Sequence, residues 1–161
     1  MVSATNAAVP MGAVAVKNEI YDAIVTGTSA GIEFFHGYTY SGHPLAAAAA
    51  IATLELHRAE DLPGRALALE PYWQDAVHSL KGLPNVIDIR DVGLIGAVEL
   101  APRPGKPTQR ALDVFRRCFD DGVLIRVTAD IIAMSPPLIC EKPHVDRLIN
   151  TLAEALVAEA A

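Results

Sequence analysis

At 161 residues with 52% hydrophobic side chains, the chain can bury the core of one domain or one and a half. Its net charge of −6 argues against any general attraction to nucleic acid or an anionic membrane. Two widely separated cysteines, Cys118 and Cys140, lack metal-ligand spacing and read as buried thiols rather than a disulfide framework. With no basic, apolar leader and no run of about 18 apolar residues, a soluble cytoplasmic protein is expected.

In chain order, Ala7–Val16 (AAVPMGAVAV) is almost wholly apolar and reads as a strand buried on both faces. Such a strand needs neighbours on both sides, so the chain reads as a piece of something larger. Lys17–Ile24 suggests a short helix with Tyr21 and Ile24 facing inwards, and Thr26–Gly31 a flexible connector. The loop Glu33–Pro44 (EFFHGYTYSGHP) gathers hydroxyls, glycines and two histidines ahead of an alanine-rich helix, Leu45–Arg58. Pro44 suits the first helical turn, where its missing N–H costs nothing.

A domain boundary is expected within or just after that helix. Beyond it, a helix over Arg65–Leu80 leads to a hairpin of Asn85–Arg90 and Leu94–Leu100. A helix over Thr108–Asp120 closes at Asp121-Gly122, followed by short strands over Val123–Arg126 and Ile131–Met134. Lys142–Ala161 is an amphipathic helix with Val145, Leu148, Ile149, Leu152 and Leu156 on one stripe. This order predicts helices covering one face of a small, largely antiparallel sheet.

Few residues carry chemistry by their spacing. His36 and His43 lack partners at zinc-like intervals, so no metal site is expected, and both are expected to hold the loop by hydrogen bonds. Tyr38, Thr39, Tyr40 and Ser41 are compatible equally with phosphate binding and with ordinary turn chemistry. Arg126 ends an apolar strand; it suits a carboxylate clamp, although a structural ion pair is the commoner use. Glu33, Asp91 and Asp130 are isolated acids without a paired-carboxylate spacing.

Three segments, Thr5–Val14, Glu33–Pro44 and Gly122–Leu138, resemble the C-terminal portion of class III, fold-type I, pyridoxal-phosphate-dependent aminotransferases. Asn85–Arg90 followed by Gly93–Gly96 supports the resemblance, which is closest to the ω-amino-acid:pyruvate (β-alanine:pyruvate) branch. The resemblance implies an α/β fold. Residues 1–44 would be the distal piece of the cofactor-binding large domain, 45–60 a connecting helix, and 61–161 an α+β small domain with a mainly antiparallel sheet. It also implies pyridoxal 5′-phosphate as cofactor, a homodimer, and an amino donor and pyruvate as substrates. By the same resemblance Thr39, with Tyr38 beside it, would contact the cofactor phosphate of the neighbouring subunit, and Arg126 would bind the substrate carboxylate. The Schiff-base lysine would stand three residues before Thr5, where this chain has Val2, so no catalytic residue is expected and the isolated chain should be inactive. A non-catalytic dimerisation or interaction fragment, or another class III activity such as 4-aminobutyrate transamination, are the alternatives.

Overall fold

The computed structural model describes residues 2, 3, 5, 8–27, 29 and 37–160. The chain divides into two compact units, Met1–Glu60 and Asp61–Ala161.

In the first unit, β1 (Val2–Ser3) pairs antiparallel with β2 (Gly12–Ala13). Thr5 is buried beside this ribbon, and its hydroxyl donates to the Val9 carbonyl while Ala8 N–H bonds back to Thr5 O at 3.0 Å. Two helices follow, α1 (Asn18–Thr26) and α2 (Pro44–Ala59). Alanine content and Pro44 at the first turn account for α2 locally.

The expected doubly buried strand over Ala7–Val16 is not formed. Only Gly12 and Ala13 are in a strand, both exposed, and Val14 is 82% exposed. Apolar composition makes a strand buried only where two neighbours flank it, and among the described residues β2 has one partner of two residues. Tyr21 and Ile24 likewise face outwards, and α1 has no buried residue at all. The periodicity is present, but no second surface among the described residues of this unit receives it.

The second unit has a real core. A wholly antiparallel sheet runs in the order β3-β4-β6-β5, from β3 (Val86–Val92), β4 (Ile95–Leu100), β5 (Arg126–Thr128) and β6 (Ile131–Met134). Helices α3 (Leu62–His78), α4 (Gln109–Asp120) and α5 (Lys142–Ala158) contribute Trp73, Val114 and Leu152 to the same fully buried cluster as Val98, Leu100 and Ile132. The alternation of strand side chains then fixes the other face. Val98 pairs with Ile132, and Ile132 with Val127, on the helix side; Ala97 pairs with Ala133, and Ala133 with Arg126, on the open side.

Local chemistry sets the helix ends. The helix expected from Arg65 begins at Leu62, because the Asp61 side chain accepts the Gly64 N–H at 3.3 Å and Pro63 is tolerated in the first turn. Past α4, Gly122 takes φ +77°, and Gly122 N–H and Val123 N–H return to Phe119 O and Cys118 O at 2.9 and 2.7 Å. The strand expected over Val123–Arg126 pairs only from Arg126 onwards. Val123 and Ile125 are nevertheless buried, held by side-chain packing rather than by a ladder.

Arg103 ties the C-terminus of α5 to α4 by pairing with Glu159 and with Asp113, the latter at 3.1 Å. The Gln109 amide, helped by the guanidinium groups of Arg103 and Arg116, holds the Asp113 carboxyl below the usual carboxylate range. Cys118 and Cys140 are both free thiols, Cys118 wholly buried.

Gly96 lies under α3: a Cβ there would stand 3.0 Å from Trp73 Cζ2 and 3.2 Å from Val77 Cγ2. Gly96→Ala should therefore lower stability by about 1–3 kcal/mol through overpacking. A urea melt with an unchanged midpoint would contradict this. Burial pushes the Cys118 thiol up to about 11, with Asp121 adding to the effect. A thiol pKa raised by folding gives stability that is complete below the unfolded value, about 8.5, and is lost as pH rises through the folded one. The urea midpoint should thus fall across that window, and by less in Cys118→Ala. Equal losses in the two proteins would exclude Cys118 as the source.

Candidate functional site

Each unit has its own cavity, and the sequence-expected site residues are divided between them. Glu33 and His36 lie outside the described residues. From Gly37 the loop is defined: Ser41 N–H donates to Tyr38 O at 2.9 Å, His43 N–H donates to Tyr40 O at 3.3 Å, and Gly42 takes φ +70°. These turns deliver the chain to His43, the residue that precedes α2, whose side chain makes no capping bond.

A cavity of about 660 Å³ adjoins the loop, with Pro10, Gly12, Thr39, Ser41, His43 and Ala46 in its wall. The Thr39 and Ser41 hydroxyls have no hydrogen-bond partner among the described residues. The His43 side chain has none either, so the expectation that it braces the loop is overturned. Hydroxyl donors and the unsatisfied N–H groups of a helix start suit a phosphate. No lysine lies in this wall, so the cavity offers an anion contact and no amine for a carbonyl. The phosphate end of pyridoxal phosphate fits these donors. Its aldehyde end has no partner in the wall.

The second unit has a larger cavity, about 990 Å³, along the edge strand β5. Arg126 opens that strand on the open face of the sheet, directly across from Ala133. Cross-strand neighbours stand about 5 Å apart at Cβ, and alanine leaves the guanidinium unobstructed. The Arg126 guanidinium makes no ion pair or hydrogen bond with any described residue, which overturns the structural ion pair that the sequence favours. Four acids of the second unit are engaged elsewhere: Asp88 and Glu99 with Arg90, Asp91 with His78 at 2.8 Å, and Asp130 with Thr108 N–H at 2.8 Å.

Residues far apart in sequence meet here. Leu124 and Ile95 give apolar wall, Ser135 and Cys140 come from the segment after β6, and His144 and Arg147 come from α5. Among the described residues no Asp or Glu lines the cavity. Arg147 had no marker in the sequence beyond lying three residues after His144, hence on the same helical face. Burial raises the Cys140 thiol above its ordinary value, which keeps it protonated and poorly nucleophilic at neutral pH.

Comparison with known proteins agrees on one family. The family model described as aminotransferase class-III matches residues 3–156. An ω-aminotransferase of Caulobacter vibrioides is 60% identical over 152 residues, which are 94% of this chain and 35% of that protein. A β-alanine–pyruvate aminotransferase of Pseudomonas aeruginosa is 40% identical over 94% of this chain and 34% of its own length. A solved transaminase obtained by ancestral reconstruction superposes with a TM-score of 0.83 at 32% identity, covering 98% of this chain and 36% of its own. The chain thus spans about a third of the length of the curated relatives it matches.

An unpartnered Arg126 contributes little to folding. Arg126→Ala should change unfolding free energy by no more than about 0.5 kcal/mol. A loss several times larger in chemical denaturation would restore the ion-pair reading.

Proposed function

The chain belongs to the class III aminotransferase family, and from that premise we propose that it is the C-terminal third of an ω-amino-acid:pyruvate transaminase. In this reading residues 1–44 belong to the cofactor domain, 45–60 connect, and 61–161 form the small domain. The observation that carries the proposal is Arg126, a guanidinium without a partner among the described residues, in a cavity that no described acid lines, on a chain 60% identical to an ω-aminotransferase.

Two groups share the work. Arg126 would bind the substrate carboxylate through two parallel N–H bonds, orienting the amino or keto carbon and rejecting donors without a carboxylate. Thr39, with Tyr38 alongside, would hold the phosphate of pyridoxal 5′-phosphate bound by the neighbouring subunit of a homodimer, supported by the donor-rich cavity wall. When bound, that cofactor supplies the electron sink that lets an amino group leave the donor and reach pyruvate. The proton shuttle and covalent anchor fall to a lysine in this family, and the corresponding position is Val2, whose side chain has no amine. The chain alone is therefore a binding half without a catalytic base. A cytoplasmic location accords with the absence, among the described residues, of a helix long and apolar enough to cross a membrane.

A second reading, as a dimerisation or interaction piece, is favoured by the outward apolar side chains of the first unit. Val14, Ile20, Tyr21, Leu54 and Leu56 are each about half exposed or more, beyond what a small unit normally presents.

Pyruvate-dependent alanine formation tests the assignment of Val2 to the lysine position. With β-alanine, pyruvate and pyridoxal phosphate, the 161-residue chain should give no alanine above the protein-free blank. Turnover that scales with protein concentration would refute the assignment of Val2 to the lysine position.

A further inference from the structure

We propose that the start of α5 is a pH-sensitive latch, which His144 closes while its imidazole is neutral and opens on taking up a proton. The proposal is independent of the role given to Arg126 and concerns how one wall of the cavity is held.

The residues at this helix start depart from the usual choice. Glu141 stands at the N-cap, where Ser, Thr, Asp or Asn is preferred, and Pro143 in the first turn has no N–H. His144 occupies the third helical position, which Glu or Gln fills in a capping box. The backbone closes its own part of the turn, as His144 N–H and Val145 N–H donate to Glu141 O at 3.0 and 3.2 Å. The Glu141 N–H is then taken by a side chain, donating to His144 Nδ1 at 3.1 Å.

A ring nitrogen accepts a hydrogen bond only through its lone pair, so the proton of this neutral imidazole sits on Nε2. An imidazolium donates at both nitrogens. A proton arriving at Nδ1 therefore occupies the lone pair, breaks the bond and sets two donors against each other. Glutamine here would keep accepting at any pH, whereas histidine changes charge between about pH 5 and 8. The positive end of the helix dipole adds to the cost of a cation in the first turn.

The surroundings do not offset that cost. Arg126 from β5 lines the same cavity as His144, and so does Arg147 one turn further along α5. Cys140 brings a thiol that burial keeps protonated, and α4 supplies Leu112 and Phe115. On the α3 side Arg65 donates to Ile139 O at 3.4 Å, Lys142 stands 4.8 Å over the Tyr72 ring, and Asp146 accepts from the Tyr72 hydroxyl. Glu141 and Asp146 are thus set against Arg65, Arg126, Lys142 and Arg147. Ser135, Pro137 and Cys140 lead into this turn and line the cavity, so opening the latch loosens that wall. Its contribution is complete toward pH 8 and is lost as pH falls toward 5.

The test uses the full 161-residue chain, ¹⁵N-labelled. At pH 8 the imidazole ¹⁵N–¹H spectrum should place the His144 proton on Nε2. On lowering the pH to 5, the Glu141 and Cys140 amides should shift with the same midpoint as the ring. Urea unfolding is read by Trp73, the chain's single tryptophan, which is buried in the second unit. Between pH 8 and 5 the folding constant of the wild type should fall about threefold more than that of His144→Gln, whose side-chain oxygen accepts at both. A His144 proton on Nδ1 at pH 8, or equal pH dependence in the two folded proteins, would overturn the proposal. Should His144→Gln fail to fold, the wild-type spectra decide: amides that ignore the ring titration would overturn it equally.

Discussion

Everything in the second unit depends on one constraint: the sheet buries a single face. Val98, Leu100, Ile132 and Met134 meet Trp73, Val114 and Leu152 on the helix side, with almost no residual exposure. Because successive strand side chains point to opposite faces, that burial forces Ala97, Ala133 and Arg126 to the other side. A one-residue slip in β5 would carry Arg126 into the apolar core, at a cost of several kcal/mol for an unpaired charge. The packing thus sets both the register and the accessibility of the guanidinium.

Electrostatics follows from the same arrangement. Acids on the open face and at the strand ends already have partners, as Arg90 takes Asp88 and Glu99, and His78 takes Asp91. At the far end of α5 Arg103 neutralises Glu159 and Asp113. What remains along β5 is a cationic cavity in a chain of negative net charge. A cavity of that charge favours anions over cations. The first unit is a contrast: its helices bury little of their apolar surface, and its loop lines a smaller cavity.

Much of the second unit could be read from the sequence. The hairpin, the Gly122 helix stop and the stripe on α5 are local signals, each set by residues within a few positions of one another. The misreadings were of another kind. Ala7–Val16 and the inward faces of Tyr21 and Ile24 required a second surface, and a run of apolar residues records only that burial is favourable, never what would cover it. The start of β5 at Arg126 escaped the sequence for a similar reason: Val123 and Ile125 have strand composition, but the ladder with β6 stops at the Arg126–Ala133 pair.

By itself, then, the sequence determined the order and kind of the elements of the second unit, the family, and the candidates Thr39 and Arg126, since these lie in contiguous motifs. Only the tertiary structure decided that Arg126 is free of counter-charge and that Arg147 shares its cavity. Arg147 is 21 residues from Arg126 in the chain, and side chains so far apart come to line one cavity only when the core closes and brings α5 beside the edge of the sheet.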